Sequence, residues 1–476
     1  AAVNAPGIIT DPDILSGFLM DESGLLGRAE GVVRARCAED VLDVIRRCRA
    51  DRLPLLPVGL QSATTGAAVP FGGLVLSTAA WTGVEEVDRA RRLAVVRPGT
   101  VTGDLKRLVA GEGLYYPPDP TSQEESTIGG NVASNASGAR SFRYGVTGDW
   151  VAGLELMDGT GTTHRLMRRR VDKNTTGPRA FHDPVDLVVG SEGILGVVTR
   201  IWLRLAPDPG PFFGAFLWFP TLDTALRAAV AWRLGGPPTP RCVELFDHAA
   251  LASFASHGSP PAIPAGAGAM LFTEWDLGDR DLAAVLETLL PGWAALGALV
   301  DDTVLASTAQ ERDWLRDLRH HVPETNNARA ARHHGTGGLK VSTEFCVPPD
   351  RLVEVMTRVE EIRREAGVDE MVRYGHVGNG HPHIFMFGRD AEEVTGRKRM
   401  AHRLCEMAVA AGGTVSGEHG IGKTRRDFLR YMFPPPILRA LAETKRAFDP
   451  DWILSPGNIL HDPRGTNDGI WELEEK

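Results

Sequence analysis

The chain has 476 residues, 43% of them hydrophobic and 24% charged, with a formal net charge of −9. This is the composition of an ordinary soluble globular protein, long enough for two to three domains of roughly 100–200 residues each. The negative balance argues against nucleic acid or an anionic membrane as the main partner, and no apolar run approaches the ~18 residues that span a bilayer.

The five cysteines, Cys37, Cys48, Cys242, Cys346 and Cys405, are odd in number and form no CxxC. That usage fits a reduced, cytoplasmic compartment rather than a disulfide scaffold. The start of the chain shows no basic stretch followed by an apolar core, so no export signal is read there.

In chain order, a short helix or loop is expected near 11–19 and a strand at 31–35. Residues 38–48 read as an amphipathic helix, because Val41, Leu42, Val44, Ile45 and Cys48 recur at helical spacing. Strands are expected at 53–58, 72–77 and 93–96, with a small-residue loop at 59–68, and a helix at 102–110. Residues 113–148, rich in Gly, Pro, Asn and Ser, read as one long irregular stretch, which inside a compact domain is functional or disordered. Apolar strands on both sides argue against disorder. Its small residues and main-chain amides suit a bulky, phosphate-bearing ligand. A strand pair at 150–157 and 164–167 and a Gly-punctuated turn within 181–199 follow. Pro207-Asp-Pro-Gly-Pro211 is the clearest boundary signal. Beyond it, strands (212–219, 269–272, 339–345, 370–375, 384–387) alternate with helices (222–234, 280–290, 308–319, 351–366, 391–411), an α+β pattern, and a last helix is expected at 439–446.

The residues that carry chemistry concentrate in Arg373-Tyr-Gly-His-Val-Gly-Asn-Gly-His-Pro-His383. Asn379-Gly380 is a strong hairpin signal, since a type I′ turn needs positive φ at both central residues. With those two as the loop, Gly378 pairs with His381, Val377 with Pro382, and His376 falls directly opposite His383. Opposed residues share a face, and His381, two positions from His383, points the same way. Ser416-Gly-Glu418-His419-Gly420 adds a carboxylate and another imidazole. A lone histidine in such a loop is more often a packing residue. The set together reads as two or three metal ligands plus a proton-transfer base. There is no GxxxxGK[ST], and no GxGxxG follows a strand in a βαβ unit, so neither a P-loop nor a Rossmann site is supported.

The order of motifs carries a resemblance. Leu-Pro-Leu-Leu-Pro57-Val-Gly59, Arg97-Pro-Gly99, Pro-Pro-Asp119-Pro-Thr-Ser, Ser-Thr127-Ile-Gly-Gly130-Asn-Val-Ala, Tyr144-Gly145, Gly190-Ser-Glu192-Gly-Ile-Leu-Gly196 and Phe448-Asp-Pro follow one another. From about residue 20 to 460 the chain resembles the vanillyl-alcohol-oxidase/p-cresol-methylhydroxylase flavoproteins, and within them the D-lactate, glycolate and D-2-hydroxyglutarate dehydrogenase branch. The resemblance implies an α+β fold: a two-lobed PCMH-type FAD-binding domain at 20–206, a substrate (cap) domain with an antiparallel sheet at 207–438, and a segment at 439–476 packing back on the first domain.

By the same resemblance, Pro57, Val58, Gly59, Leu60, Gln61, Ser62 and Ala63 would wrap the FAD pyrophosphate. Pro118, Asp119, Thr127, Gly129, Gly130, Asn131 and Ala133 would line the flavin. Glu192, Gly193, Val198 and Asn458 would complete the cofactor contacts. No histidine occupies the 57–63 loop, so a non-covalent flavin is implied. His376, His383 and Glu418 would hold a divalent ion, Zn²⁺ or Mn²⁺, and His419 would be the base. Arg319 and Lys340 would be cations for a substrate carboxylate.

The family pattern Gly-His-x-Gly-Asp-Gly-Asn-x-His is altered here: Asn379 stands for the Asp and His381 for the Asn. His381 is left as a further ligand, a substrate contact or a bystander. The expected activity is oxidation of a secondary alcohol, a 2-hydroxy acid first and a sugar or nucleoside hydroxyl as the alternative, with a redox-neutral epimerisation also open. The electron acceptor (oxygen, a quinone or an electron-transfer protein) and a homodimer are left open.

Overall fold

The computed structural model describes residues 7–169, 171–235 and 238–462 and divides into two units. One is built from Ala1–Ser137, Val146–Asp208 and Glu418–Lys476, the other from Gly138–Gly145 and Pro209–Gly417. Of the segment 439–476, residues 463–476 lie outside the described ones.

In the first unit, the helix Ala38–Asp51 buries Val41, Val44, Ile45 and Cys48 on one face. That face packs with Val33, Leu55, Leu74 and Leu76 of a three-stranded parallel sheet, ordered Gly31–Arg34, Leu74–Ser77, Leu55–Val58. A second sheet is antiparallel, in the order Val84–Asp88, Leu93–Val96, Val197–Arg204, Val151–Met157, Thr163–Met167. Val197–Arg204 alternates buried with half-buried positions along its whole length, the period-2 signature of a strand with one covered face. The helix Thr102–Ala110 and the late helix Pro435–Phe448 both pack on the core of this sheet. The late segment is tied in by Lys445, whose Nζ donates to Asp449 Oδ2 at 2.6 Å, Ile194 O at 2.9 Å and Leu454 O at 3.0 Å.

The second unit is organised on a seven-stranded antiparallel sheet. Its order is Val304–Ala306, Phe212–Phe219, Ala269–Asp276, Val243–Asp247, Met371–Gly375, His383–Asp390, Gly337–Thr343. Both faces are apolar, which is why Phe212–Phe219 reads as an unbroken apolar run rather than an alternation. Phe213, Ala215, Leu217, Leu245 and Ile384 face a core shared with the helices Leu222–Leu234, Leu282–Ala295, Leu352–Glu365 and Ala391–Ala410. Phe216, Trp218, Phe246, Val372 and Phe385 face the other core, covered by the helix Ala309–Ala331.

Several expectations are corrected. Residues 113–148 are not one irregular loop: they hold the helices Ile128–Ser134 and Ser141–Tyr144 and the start of Thr147–Trp150. Thr127 caps the first of these by accepting from Gly130 N at 3.1 Å, the ordinary role of a threonine at that position. The helix expected to end at 319 runs on to Ala331 through Pro323. Proline there removes one intrahelical bond, but Leu315, Leu318, Val322, Asn326 and Ala330 keep one buried stripe, and that burial carries the helix past it. The strands Val84–Asp88, Val243–Asp247 and Val304–Ala306 were not anticipated.

The tight hairpin at 379–380 is also corrected. Asn379 does not take a positive φ, and His383 lies opposite Tyr374 rather than His376. Residues 376–382 form a wider loop with a 3₁₀ turn, Val377–Asn379, closed by Gly380 at φ 73°. A tertiary contact decides this: Val347 N donates to Gly380 O at 2.9 Å, and a Cβ on residue 380 would fall 2.0 Å from Val347 O.

Candidate active site

The first unit gathers most of the residues expected to hold FAD. Pro57 and Val58 end the strand Leu55–Val58. Gly59 then crosses Thr127 so closely that a Cβ would lie 2.4 Å from Thr127 Oγ1. The loop through Leu60, Gln61 (φ 60°), Ser62 and Ala63 therefore departs beside the start of the helix that contains Gly129, Gly130, Asn131 and Ala133. Among the described residues, the amides of 60–67 donate to no protein acceptor. Thr64 Oγ1 and Ser455 Oγ are buried without a hydrogen-bond partner. A run of main-chain donors with hydroxyls beside it suits a pyrophosphate, so the residues present fit FAD.

The rest of the cradle is closed by hydrogen bonds. Gly129 N donates to Pro98 O at 2.8 Å, and Asn131 Nδ2 to Thr102 Oγ1 at 2.7 Å. Glu192 N donates to Ala133 O at 2.8 Å. Asn458 Nδ2 bridges Ala67 O at 2.9 Å and Glu192 O at 3.1 Å, while its Oδ1 accepts from Lys423 Nζ. The Glu192 carboxylate accepts from the amides of Ile421 and Gly422. Burial pushes that carboxyl up to about 7 and the Lys423 amine down to about 7. Gly193 passes so near Ser455 that a Cβ would sit 2.7 Å from its Oγ. Val198 lies in the strand Val197–Arg204, opposite Leu156. Pro118 is buried, and Asp119 is paired with Lys106 on the helix Thr102–Ala110.

The stretch with the expected base is built into the same cradle. His419 O accepts from Thr65 Oγ1 at 3.4 Å, and Lys423 N and Thr424 N both donate to Thr65 O. The His419 ring is about one-third exposed, with Nε2 3.3 Å from Glu418 Oε1.

In the second unit, His376, His381 and His383 converge although the strand register differs from the expected hairpin. Their ring centroids are 5.4 Å (376–381), 5.1 Å (376–383) and 4.8 Å (381–383) apart, and all three rings are buried. One short segment, 344–347, clamps both arms of the cluster. Val347 holds the histidine loop through Gly380 O. Cys346 pairs with Thr414 in both directions, at 2.7 and 3.2 Å, and Glu344 O accepts from Gly417 N at 2.9 Å. Glu418 is the residue next to Gly417. His376, His381, His383 and Glu418 each offer a ligand atom, and these atoms all lie within 4.8 Å of one another. Three imidazoles and a carboxylate are a donor set suited to a divalent transition metal, so the residues present fit such an ion.

Sequence reasoning missed Glu244. It lies on the unanticipated strand Val243–Asp247, and only 1% of its side chain is exposed. Its Oε1 is 2.6 Å from His376 Nδ1, and its Oε2 accepts from Arg319 Nε at 2.9 Å. A carboxylate at Nδ1 holds the ring proton there and leaves the lone pair on Nε2. A carboxylate within Arg241-Cys-Val-Glu-Leu-Phe-Asp247 was the available signal, since a charge in an otherwise apolar strand demands a partner. Arg319 is thus placed beside the histidine cluster through Glu244. Lys340 lies on the edge strand Gly337–Thr343, with Nζ bonded to Asn327 Oδ1 and 4.0 Å from the Phe385 ring centroid. Burial pulls its amine down to about 8.

Residues 29–167 match the family model for an FAD binding domain, and residues 214–459 match that for FAD linked oxidases, C-terminal domain. The second match alone spans more than half of the chain. The chain belongs to the FAD-linked oxidases.

Among curated proteins, this FAD-linked oxidase is 29% identical to D-2-hydroxyglutarate dehydrogenase of Stutzerimonas stutzeri, over 96% of each chain. It is 29% identical to glycolate oxidase subunit GlcD of Bacillus subtilis, over 90% of this chain and 89% of that one. It is 27% identical to D-lactate dehydrogenase of Anaerostipes hadrus, over 95% and 94%. In fold it is similar to the solved structure of 4-ethylphenol oxidase from Gulosibacter chungangensis, with a TM-score of 0.68 at 16% identity over 95% and 94% of the two chains. An alkyldihydroxyacetonephosphate synthase gives the same TM-score and identity, over 95% of this chain and 86% of that one. These solved structures share the chain's α+β fold, the fold class that the sequence resemblance implied. No described helix of the FAD-linked oxidase is long and apolar enough to cross a membrane.

Proposed function

We propose that this FAD-linked oxidase converts a 2-hydroxy acid to the 2-oxo acid, with a divalent ion held by His376, His383 and Glu418 and with His419 as the base. The observation that carries the reading is the convergence of buried imidazoles and a carboxylate within 4.8 Å in a chain whose base-bearing stretch is bonded into the FAD cradle. The relatives named for D-2-hydroxyglutarate, glycolate and D-lactate all point to one substrate class.

FAD, when bound, supplies the acceptor for the C2 hydrogen and its electron pair. Zn²⁺ or Mn²⁺, when bound, supplies Lewis acidity to a substrate oxygen. Glu418 brings the one negative charge of the ligand set. Glu244 holds His376 in the tautomer that leaves Nε2 available. His419 Nε2 takes the hydroxyl proton. Its partial exposure gives that proton a way out to solvent, and general-base assistance of this kind contributes about 10²–10⁴-fold. Arg319, which keeps its Nε bond to Glu244, and Lys340 are the cations assigned to a substrate carboxylate. The odd number of cysteines and the lack of any CxxC support a reducing, cytoplasmic setting.

The test is anaerobic mixing of the FAD-loaded protein with D-2-hydroxyglutarate, D-lactate, glycolate and a panel of sugar alcohols, following visible flavin absorbance with and without chelator. Bleaching that persists with a 2-hydroxy acid is expected, and chelator is expected to slow it. Bleaching by sugar alcohols alone overturns the substrate class. A transient that recovers without acceptor overturns net oxidation, and indifference to chelator overturns the metal. Reoxidation by oxygen, a quinone analogue or an electron-transfer protein, compared in the same cuvette, identifies the acceptor.

A further inference from the structure

We infer that His381 is a fourth protein ligand, so that the centre is a three-imidazole, one-carboxylate site that selects Zn²⁺ over Mn²⁺. The inference rests on the metal reading proposed above and deepens it.

The three histidines form a nearly equilateral set. Their centroid separations, 5.4, 5.1 and 4.8 Å, are close to equal, so that no ring stands apart from the other two. His381 is in fact the ring nearest His383. Donors bound to one ion at about 2.1 Å stand about 3.0–3.4 Å apart, and four protein donors leave a fifth position for the substrate oxygen. The largest separation within the ligand atoms of His376, His381, His383 and Glu418 is 4.8 Å or less. Small side-chain rotations close that difference, and they need no backbone movement because the ring nitrogens sit at the ends of two-torsion side chains.

The backbone around the cluster is shaped for three inward rings. A Cβ on Gly375 would lie 2.3 Å from His383 Cδ2, and a Cβ on Gly417 would lie 2.5 Å from the His381 ring. The chain is therefore bare of side chain at the two points where these rings fold in, and Gly417 is the residue before Glu418. His381 is also fixed from its own backbone, since its N donates to His376 O at 3.1 Å. His376, His381 and His383 expose only 3%, 3% and 7% of their surfaces. A bystander imidazole would pack as well against an apolar neighbour. Here its neighbours are two more imidazoles and a carboxylate, which is a ligand set rather than an apolar pocket.

A fourth protein donor changes two things. Nitrogen-rich sites widen the gap between Mn²⁺, at the weak end of the divalent series, and Zn²⁺, and favour both over the hard ions Mg²⁺ and Ca²⁺. And because imidazole is neutral, the added donor leaves the charge of the site unchanged: one carboxylate against a dication still leaves one positive charge for an anionic hydroxy acid.

The experiment uses the full chain with FAD bound, stripped of metal and reloaded with Zn²⁺ or Mn²⁺ alone. X-ray absorption at the zinc edge counts imidazoles directly in the unsubstituted protein, and competition against a chromophoric chelator gives both affinities, alongside His381→Asn. The expected result is three imidazoles falling to two in the variant. Zn²⁺ binding should weaken at least tenfold, given that even outer partners of a ligand are worth about 10–100-fold, with a smaller loss for Mn²⁺. Two imidazoles in the unsubstituted protein, or equal Zn²⁺ affinity in the variant, overturns the inference while leaving the metal reading standing. No zinc bound by the unsubstituted protein overturns both. Flavin content and the melting curve of the variant separate ligand loss from misfolding, and the count in the unsubstituted protein needs no variant at all.

Discussion

Replacing Glu244 by glutamine should weaken metal binding without touching a ligand. The carboxylate is 99% covered and serves two donors, His376 Nδ1–H at 2.6 Å and Arg319 Nε–H at 2.9 Å. A glutamine side chain offers one acceptor oxygen and one NH₂ in the same space. If the oxygen stays with Arg319, which cannot lose its proton, the NH₂ faces His376 Nδ1. The imidazole must then move its proton to Nε2, and the lone pair meant for the ion disappears. Restoring the binding tautomer gives up one charge-assisted hydrogen bond, about 1.5–3 kcal/mol. At 1.36 kcal/mol per factor of ten this is about 10–150-fold in affinity, the range known for outer partners of metal-bound histidines. Competition with a chromophoric chelator on protein stripped of metal measures it, and the flavin spectrum and melting curve confirm the fold. A Glu244→Gln protein that binds zinc as tightly as the unsubstituted chain would refute the role given to Glu244.

Three further outcomes follow from named contacts. His419→Ala should keep its FAD, because Thr65 bonds the main chain of residue 419, yet reduce flavin about 10²–10⁴-fold more slowly in single-turnover mixing; unaltered reduction removes the base assignment. Gly417→Ala should destabilise by about 1–3 kcal/mol, the usual cost of overpacking, because its Cβ would lie 2.5 Å from the His381 ring; denaturant titration reads it, and an unchanged midpoint argues against the close packing. Lys340 has its amine pulled down from 10.5 to about 8 by burial, so the folded chain binds fewer protons than the unfolded chain between those values. Stability should therefore rise with pH from about 8 to 10.5, and Lys340→Met should flatten that rise; identical pH profiles for the two proteins would contradict it.

The sequence was legible where local rules and burial agree. Phe212–Phe219, Leu222–Leu234 and Thr102–Ala110 start and stop where the apolar pattern says they should. It was illegible where a distant contact overrides a local preference. Asn379-Gly380 has the composition of a two-residue turn, but Val347 captures Gly380 from another segment, and the chain takes a wider loop. The three histidines still meet, because 376 and 383 flank two paired strands in either register. The helix expected at 308–319 runs on past Pro323, because buried side chains on both sides hold it together. The pairing of Glu244 was unreadable for a different reason. Its partner His376 lies 132 residues away, and a single chain offers no local pattern that joins them.

The first unit is assembled from three stretches of chain, and the last of them carries Asn458, Lys445 and the bridge from Leu454 to Leu55. During synthesis the seven-stranded sheet, which ends at Asp390, is complete before the FAD cradle has its final wall. Domains form as their chain emerges, at about 5–20 residues per second, so the cradle waits some seconds longer than the sheet and cannot close around a nucleotide until residues near 458 have left the ribosome. Nascent chains stalled with 417 residues exposed should resist protease across 209–417 and retain no FAD, whereas chains stalled past 462 should retain it. FAD held by the shorter chain would place the closing step earlier. Built this way, the protein makes cofactor capture wait on the third stretch of its first unit, where Asn458 bonds Ala67 and Glu192 across the cradle.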